Sequence, residues 1–400
     1  MVQLSRRVIQ MGESKTLAMT RMSRELQSQG HDVINLSIGQ PDFNTPDYIK
    51  EAAKEAVDRN FTFYPPVPGY EDLREAISNK FKRDNNLSYS PQQIVVSNGA
   101  KQSIANAVLC LVDPGDEVLL PAPYWVSYPE IVKLAGGKPV VIPTSVDNDY
   151  KVTPEQIEAA MTPNTKLFIF SSPCNPSGTV YTRDELESMA KVIARHENIH
   201  IISDEIYEYI NFCRKHESIG QFGFIHDKVI TVNGVSKGFA MTGWRLGYLG
   251  ASLPIARACE KLQGQMTSGA CTISQKAALK AVSVSPEMSD DLKKMVKTFR
   301  ERRDLMLQRL GDIPCIKTNT PQGAFYIFAD IRELIGRHNG DMTINSSEDF
   351  CSYLLKHFYV ALVSGAAFGM PECVRISYAT STGLLTEGMN RIHQAIMKLS

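Results

Sequence analysis

The sequence predicts an α/β protein, with a large domain built on a mostly parallel sheet flanked by helices and a smaller α+β domain beside it. From Ile94 to Val232, short apolar runs alternate with helical stretches. That alternation implies crossover connections and a sheet covered on both faces. After about residue 285 the texture changes to a long charged helix, then strands and helices in mixed order. No internal repeat or low-complexity tract interrupts either pattern. Residues 46–285 are therefore assigned to the large domain, and residues 1–45 with 286–400 to the small one.

Residues 14–30 have helical composition and stop at Gly30, a C-terminal cap. Val33–Gly39 reads as a short strand closed by a turn at Gln40–Pro46. Thr45 and Pro46 open a helix through about residue 59, as N-cap and first-turn proline. Phe61–Gly69 holds three prolines and reads as irregular, leading into a helix near 70–83. Strands are expected at Ile94–Ser97, Glu117–Leu120, Pro139–Ile142, Lys166–Phe170, His200–Ser203 and Lys228–Val232. Helices near 100–112, 125–135, 153–161 and 182–197 separate them. The final part reads as a helix at about 287–310, strands at Gly323–Ile331, Tyr359–Val363 and Val374–Tyr378, and helices at 347–357 and 382–398.

Forty-three basic residues balance forty-three acidic ones. The chain therefore offers no field for nucleic acid or an anionic membrane. No stretch of about 18 apolar residues spans a bilayer. The N-terminus runs into polar sequence with no apolar h-region. The eight cysteines are scattered, mostly in apolar company, and make no C-x-x-C pair. This favours reduced thiols in a cytoplasmic protein over a disulfide or zinc framework.

In a sheet of this kind, ligands gather at the loops after the strands' carboxyl ends. Those loops carry a consistent chemistry. Asn98-Gly99-Ala100-Lys101 opens a helix with small residues whose free N–H groups favour phosphate, although a plain strand-to-helix turn has the same look. Ser171–Gly178 is a turn presenting Asn175. Asp204-Glu205-Ile206-Tyr207 puts a carboxylate at the end of a buried strand, where it needs a partner or caps a helix. Lys237 lies on a glycine-flanked turn after Val229–Val232, with Arg245 eight positions on. Most lysines are solvated, but one desolvated at a sheet's mouth becomes the nucleophilic amine a Schiff base requires. Arg375 lies inside the apolar strand Val374–Tyr378, where its planar fork must be paired or hold a carboxylate.

A lysine, a carboxylate, hydroxyl and amide donors, an arginine and a helix N-terminus are the groups that pyridoxal 5'-phosphate needs. From about residue 5 to the end, the chain resembles the fold-type I, class I pyridoxal-phosphate-dependent aminotransferases, in the bacterial aspartate aminotransferase subgroup. The motifs that carry the resemblance are the Ser-x-x-Asn-Pro-Ser-Gly turn ending at Gly178, Asp204–Tyr207, Ser236-Lys237, and Met241-Thr242-Gly243-Trp244-Arg245. The resemblance implies that Lys237 forms the Schiff base and moves the proton. Asp204 would hold the pyridine nitrogen protonated, and Tyr207 and Asn175 would bind the ring oxygen. Arg245 and the amides of Gly99, Ala100 and Lys101 would hold the phosphate, and Trp125 would pack on the ring. It also implies a homodimer in which Tyr64 reaches the neighbouring subunit's phosphate. Arg375 would clamp the substrate α-carboxylate with help from Asn175, Trp125 and the Gly39 backbone.

For the distal carboxylate, the subgroup's acid-specific members use residues matching Lys101, Ser14 and Thr16, all present here. The resemblance therefore implies aspartate as amino donor and 2-oxoglutarate as acceptor. Glutamate or prephenate, aromatic or neutral amino acids, and β-lyase chemistry are alternatives on the same scaffold. The chain departs from the family at Gly234, where a phosphate-binding serine often stands. A rival reading takes Gly234-Val235-Ser236-Lys237-Gly238 as a G-x-S-x-G nucleophile elbow with Ser236 as nucleophile, which requires a helix directly after the serine. A cofactor-sensing regulator would need an added DNA-binding module, and residues 1–30 are too short for one.

Overall fold

The computed structural model describes residues 4–5, 8–9, 11–12, 15–213, 215–313, 315–340 and 342–400, with the backbone alone at 15–17. Its first strand, β1 (Ile34–Asn35), stands apart from the main sheet. That sheet comprises β2 (Ile94–Ser97), β3 (Glu117–Pro121), β4 (Lys138–Ile142), β5 (Thr165–Ser171), β6 (His200–Asp204), β7 (Val229–Gly234) and β8 (Gly247–Gly250). Its order is β2-β8-β7-β6-β5-β3-β4. Every neighbouring pair from β7 to β4 is parallel, and β8 runs antiparallel to both β2 and β7.

Successive strand residues point to opposite faces, and here both faces are buried. Leu120, Ile202, Ile230 and Leu249 pack on the helices Ala100–Leu111 and Leu253–Met266. Leu119, Phe168, Ile201 and Val229 pack on Pro154–Ala160 and Arg183–Ala194 on the other side. This explains why the strands read as continuous apolar runs. The helices Leu253–Met266 and Thr272–Ser283 have no counterpart in the sequence reading. The second packs Ala277, Ala278 and Ala281 against Ile49, Ala53, Leu73 and Ile77 of the helices Asp47–Asp58 and Glu71–Lys80. Its small, alanine-rich face gives a weak apolar period.

The last third contains β9 (Lys317–Thr318), β10 (Tyr326–Asp330), β11 (His338–Asn339), β12 (Met342–Thr343), β13 (Val360–Ala361), β14 (Val363–Ser364) and β15 (Cys373–Ser377). An antiparallel sheet, β14-β15-β10-β9, is backed by the helix Asp290–Gly311 through Met295, Phe299 and Met306. The single strand expected at Tyr359–Val363 is divided between β13 and β14. β1 pairs in parallel with β13, so the chain's early segment lies against its C-terminal part.

One capping expectation fails. The helix Asp47–Asp58 has Pro46 at its cap position, with no side-chain cap. Thr45 Oγ1 instead donates to the carbonyl of Ala240, 2.8 Å away, and accepts from Trp244 Nε1 at 3.1 Å. Its hydroxyl serves the Lys237 loop rather than the helix. The thiols are also less uniformly buried than expected: Cys213 and Cys271 are exposed, and Cys110 and Cys315 are intermediate.

Candidate active site

β7 ends at Gly234, and residues 236–239 form a turn that aims Lys237 into the cleft between the two sheets. Its Nζ donates to the Gly39 carbonyl at 2.6 Å and lies 5.5 Å from the Tyr207 ring centre. Enclosure of the amine lowers its pKa to about 7, Arg375 and Arg245 push in the same direction, and Asp204 opposes them. A large fraction of this amine is thus neutral at pH 7. No helix follows Ser236: a short 3-10 turn comes only at Thr242–Trp244, so the nucleophile-elbow geometry is absent.

Asp204 closes β6 and is 5 % exposed. No helix follows it either, so it is not an N-cap. Tyr128 Oη donates to its Oδ2 at 2.7 Å, and the Ile206 N–H reaches Oδ1 at 3.2 Å. Burial raises its pKa to about 6 even though both hydrogen bonds favour the anion. Glu205 pushes it up further, and the Lys237 ammonium pulls it down. The sequence alone does not single out Tyr128. The only clue there is its place among the aromatics around Trp125, and β6 and the helix Tyr128–Leu134 must both fold before the pair exists.

Arg375 sits in β15, 2 % exposed. Its Nη1 donates to Asn175 Oδ1 at 2.9 Å and its Nη2 to the Ser37 carbonyl at 2.7 Å. Its guanidinium lies 4.4 Å from the Tyr326 ring centre and 5.0 Å from that of Phe368. Its buried Nε has no partner. A buried guanidinium stacked on rings, with no carboxylate partner among the described residues and an unused donor, is a receptor for an anion.

The loop after β2 forms a cradle. Gly99 has φ +87°, and a Cβ there would run into the Arg245 guanidinium. Gly234 faces Gly247 across β7 and β8, and a Cβ on Gly247 would meet the Ala100 nitrogen. A Cβ at position 234 would lie 2.9 Å from both Gly247 Cα and the Leu246 carbonyl oxygen. The space beside the first turn of the helix Ala100–Leu111 is thus kept by glycines, and a serine at 234 would crowd it. Arg245, in the left-handed region at φ +51°, donates to the carbonyls of Thr242 and Asn98. Its guanidinium and the helix N-terminus converge as an anion site.

Trp125 packs edge-on against Tyr128, with ring centres 5.5 Å apart. Lys101 Nζ hangs 4.9 Å from the Trp125 ring centre, its pKa lowered by partial burial and by Arg245. Tyr207 is buried, and its hydroxyl is 2.9 Å from that of Tyr326. Tyr64 is 94 % exposed. Ser14 lies outside the described residues, as does the side chain of Thr16. Glu205, Glu208 and His216 bring ligand atoms within 4.8 Å of one another; Glu208 is paired with the Lys80 ammonium at 2.5 Å, and Glu205 with His216 at 2.9 Å.

The arrangement fits pyridoxal phosphate: a glycine-kept anion cradle, a buried carboxylate held by Tyr128, and a desolvated amine. The chain matches the family model "Aminotransferase class I and II" over residues 31–392. It is 47% identical over 400 residues to the bifunctional aspartate aminotransferase and glutamate/aspartate-prephenate aminotransferase of Petunia hybrida, covering 100% of this chain and 84% of that protein. The crystal structure of the aspartate aminotransferase from Rhizobium meliloti superposes with a TM-score of 0.96 at 38% identity, covering 100% of both chains. That of the Thermus thermophilus aspartate aminotransferase with maleate superposes at 0.92 and 37% identity, covering 99% of this chain and 100% of the other. The chain belongs to the class I and II aminotransferases, enzymes that work with pyridoxal phosphate.

Proposed function

We propose that this enzyme moves the amino group of aspartate to 2-oxoglutarate, with glutamate and prephenate as further members of its substrate set. The observation that carries the reading is Arg375, a buried guanidinium with an unused donor in the same cleft as the Lys237 amine. An α-carboxylate on Arg375 fixes the substrate's Cα relative to Lys237. Dicarboxylic substrates are favoured by the Lys101 ammonium over Trp125; the Thermus thermophilus aspartate aminotransferase is described with maleate, and the Petunia hybrida relative is named for aspartate and prephenate.

When bound, pyridoxal phosphate supplies an aldehyde and an electron-withdrawing ring. The residues do the rest. Arg245 and the 99–101 amides would hold the phosphate. Asp204, which accepts from Tyr128, would keep a proton on the pyridine nitrogen, because an adjacent anion stabilises a cation. Tyr207 and Asn175 would donate to the ring oxygen, and Trp125 would pack on the ring. Lys237, whose amine is held at about 7, would be the residue that holds the cofactor's aldehyde, and it is the base placed to move the proton at the substrate's Cα.

The working form in this reading is a homodimer with shared sites. Phe63, Tyr64 and Met266 are 79 %, 94 % and 56 % exposed, and Gly269 packs closely on Pro65, so two neighbouring segments leave large apolar side chains uncovered. Eight free cysteines suit the cytoplasm. The Gly39 segment belongs with residues 286–400: β1 pairs with β13, and Asp42 accepts a bidentate pair from Arg302 at 2.7 and 2.8 Å.

A panel of amino donors, followed by half-reaction absorbance, tests the specificity. Aspartate and glutamate should outrun alanine. Lys101→Ala should lower kcat/KM for the dicarboxylic donors by roughly 10- to 100-fold, the worth of one charge-assisted contact, and leave alanine nearly unchanged. Equal losses for both classes would remove Lys101 from side-chain recognition.

A further inference from the structure

We propose that Tyr326 is a positioning residue that ties the cofactor-facing Tyr207 to the carboxylate clamp Arg375, its hydroxyl serving the first and its ring the second. The inference rests on the amino-transfer reading above and deepens it. Tyr326 opens β10 and is fully buried. β10 pairs with β15, so the ring is delivered from the strand beside the one that carries Arg375.

Three site elements meet this side chain. The Tyr326 hydroxyl is 2.9 Å from the Tyr207 hydroxyl, with the two rings edge to face at 5.9 Å and 79°. Its ring centre is 4.4 Å from the Arg375 guanidinium. The same hydroxyl would lie 3.4 Å from a Cβ on Gly39, so it closes against the backbone whose carbonyl accepts from Lys237. Tyr207 comes from the loop after β6, Arg375 from β15, and Gly39 from the segment after β1.

A phenol donates one hydrogen and accepts others. Either hydroxyl can be the donor of this pair; once the Tyr207 hydrogen goes to an acceptor in the cleft, Tyr326 is the one that must donate to Tyr207. A hydroxyl that already accepts a hydrogen bond is the stronger donor. Burial pushes the Tyr207 hydroxyl well up, so it stays protonated across the working range. Tyr326 thereby fixes the direction in which Tyr207 gives its hydrogen, towards the pyridoxal ring oxygen. Its ring, meanwhile, holds the guanidinium face by cation–π attraction and leaves the guanidinium's edge free for the carboxylate.

The two halves separate experimentally. Tyr326→Phe keeps the ring and loses the hydroxyl. We expect kcat to fall about three- to tenfold with KM for aspartate nearly unchanged. The pH midpoint of the bound cofactor's visible absorbance should move upward, because the ring oxygen loses stabilisation of its anion. Tyr326→Leu should show the same midpoint shift together with a KM raised about three- to thirtyfold. In a Tyr207→Phe background, Tyr326→Phe should no longer move the midpoint. Affinity of the apo-protein for pyridoxal phosphate, read by quenching of tryptophan fluorescence, and Tm check that each variant is folded and loaded. A folded, loaded Tyr326→Phe with an unmoved midpoint overturns the proposal, as does a shift that persists without the Tyr207 hydroxyl. Failure of the wild-type protein to bind pyridoxal phosphate would instead overturn the amino-transfer reading itself.

Discussion

Replacing Arg375 by lysine keeps the charge and removes the fork. The arginine has five N–H donors. Two are committed, to Asn175 and to the Ser37 carbonyl, and Nε is unused. Three donors therefore remain for a carboxylate, enough for a bidentate contact. A lysine ammonium has three donors in all, and it sits on a flexible stem that loses the stacking on Tyr326 and Phe368. If it satisfies Asn175 and Ser37 it has one left. Losing one to two charge-assisted hydrogen bonds, at about 1.5–3 kcal/mol each, predicts a fall in kcat/KM of roughly 10- to 10⁴-fold. The α-carboxylate is common to all amino acids, so the loss should be alike for aspartate and alanine. Single-turnover half-reactions with each donor measure it. A loss under threefold, or one confined to aspartate, would refute the placement of Arg375 on the α-carboxylate.

Two further outcomes follow from the site's electrostatics and its exposed face. Asp204 is held at about 6 against 3.8 in a free chain, so the native state binds its proton more tightly than the unfolded one. Its contribution favours the native state at low pH and is lost as pH rises through about 6, at a cost of roughly 3 kcal/mol above that. Asp204→Asn should therefore raise the Tm of the cofactor-free protein relative to wild type at pH 8 and not at pH 4; a difference independent of pH would contradict the burial argument. Tyr64→Ala alters an exposed side chain and should leave Tm nearly unchanged. Mixed with Lys237→Ala under subunit exchange, it should regain activity that neither variant has alone, and no regain would argue against shared sites.

The fold was legible where physical periodicity was strong. The buried strands of the main sheet stand out because both of their faces pack, which leaves continuous apolar runs bounded by turns. The helix Thr272–Ser283 is hard to read because its buried face is mostly small or polar (Thr272, Ser274, Gln275, Ala277, Ala278 and Ala281), which carries little hydrophobic period. Thr45 was misassigned because a threonine before a proline has the local signature of a cap, and only the tertiary fold brings Ala240 to its hydroxyl. At the site, Lys237, Asp204 and Arg375 are visible because each is a charge placed at a strand end or inside a strand, where solvation is lost; Arg245 is exposed and is visible through the motif Met241–Arg245. Tyr128 and Tyr326 are not, since a buried tyrosine looks like core until its hydroxyl's partner is known. Their partners lie 76 and 119 positions away in the chain.

The central claim is that the Lys237 amine is the group that captures pyridoxal phosphate. Adding pyridoxal phosphate to the apo-protein, reducing with borohydride and mapping the modified peptide tests it directly. The label is expected on Lys237, with capture accelerating as pH rises through about 7, where this amine loses its proton. A label on another lysine such as Lys101, or stable capture by Lys237→Ala, would contradict it.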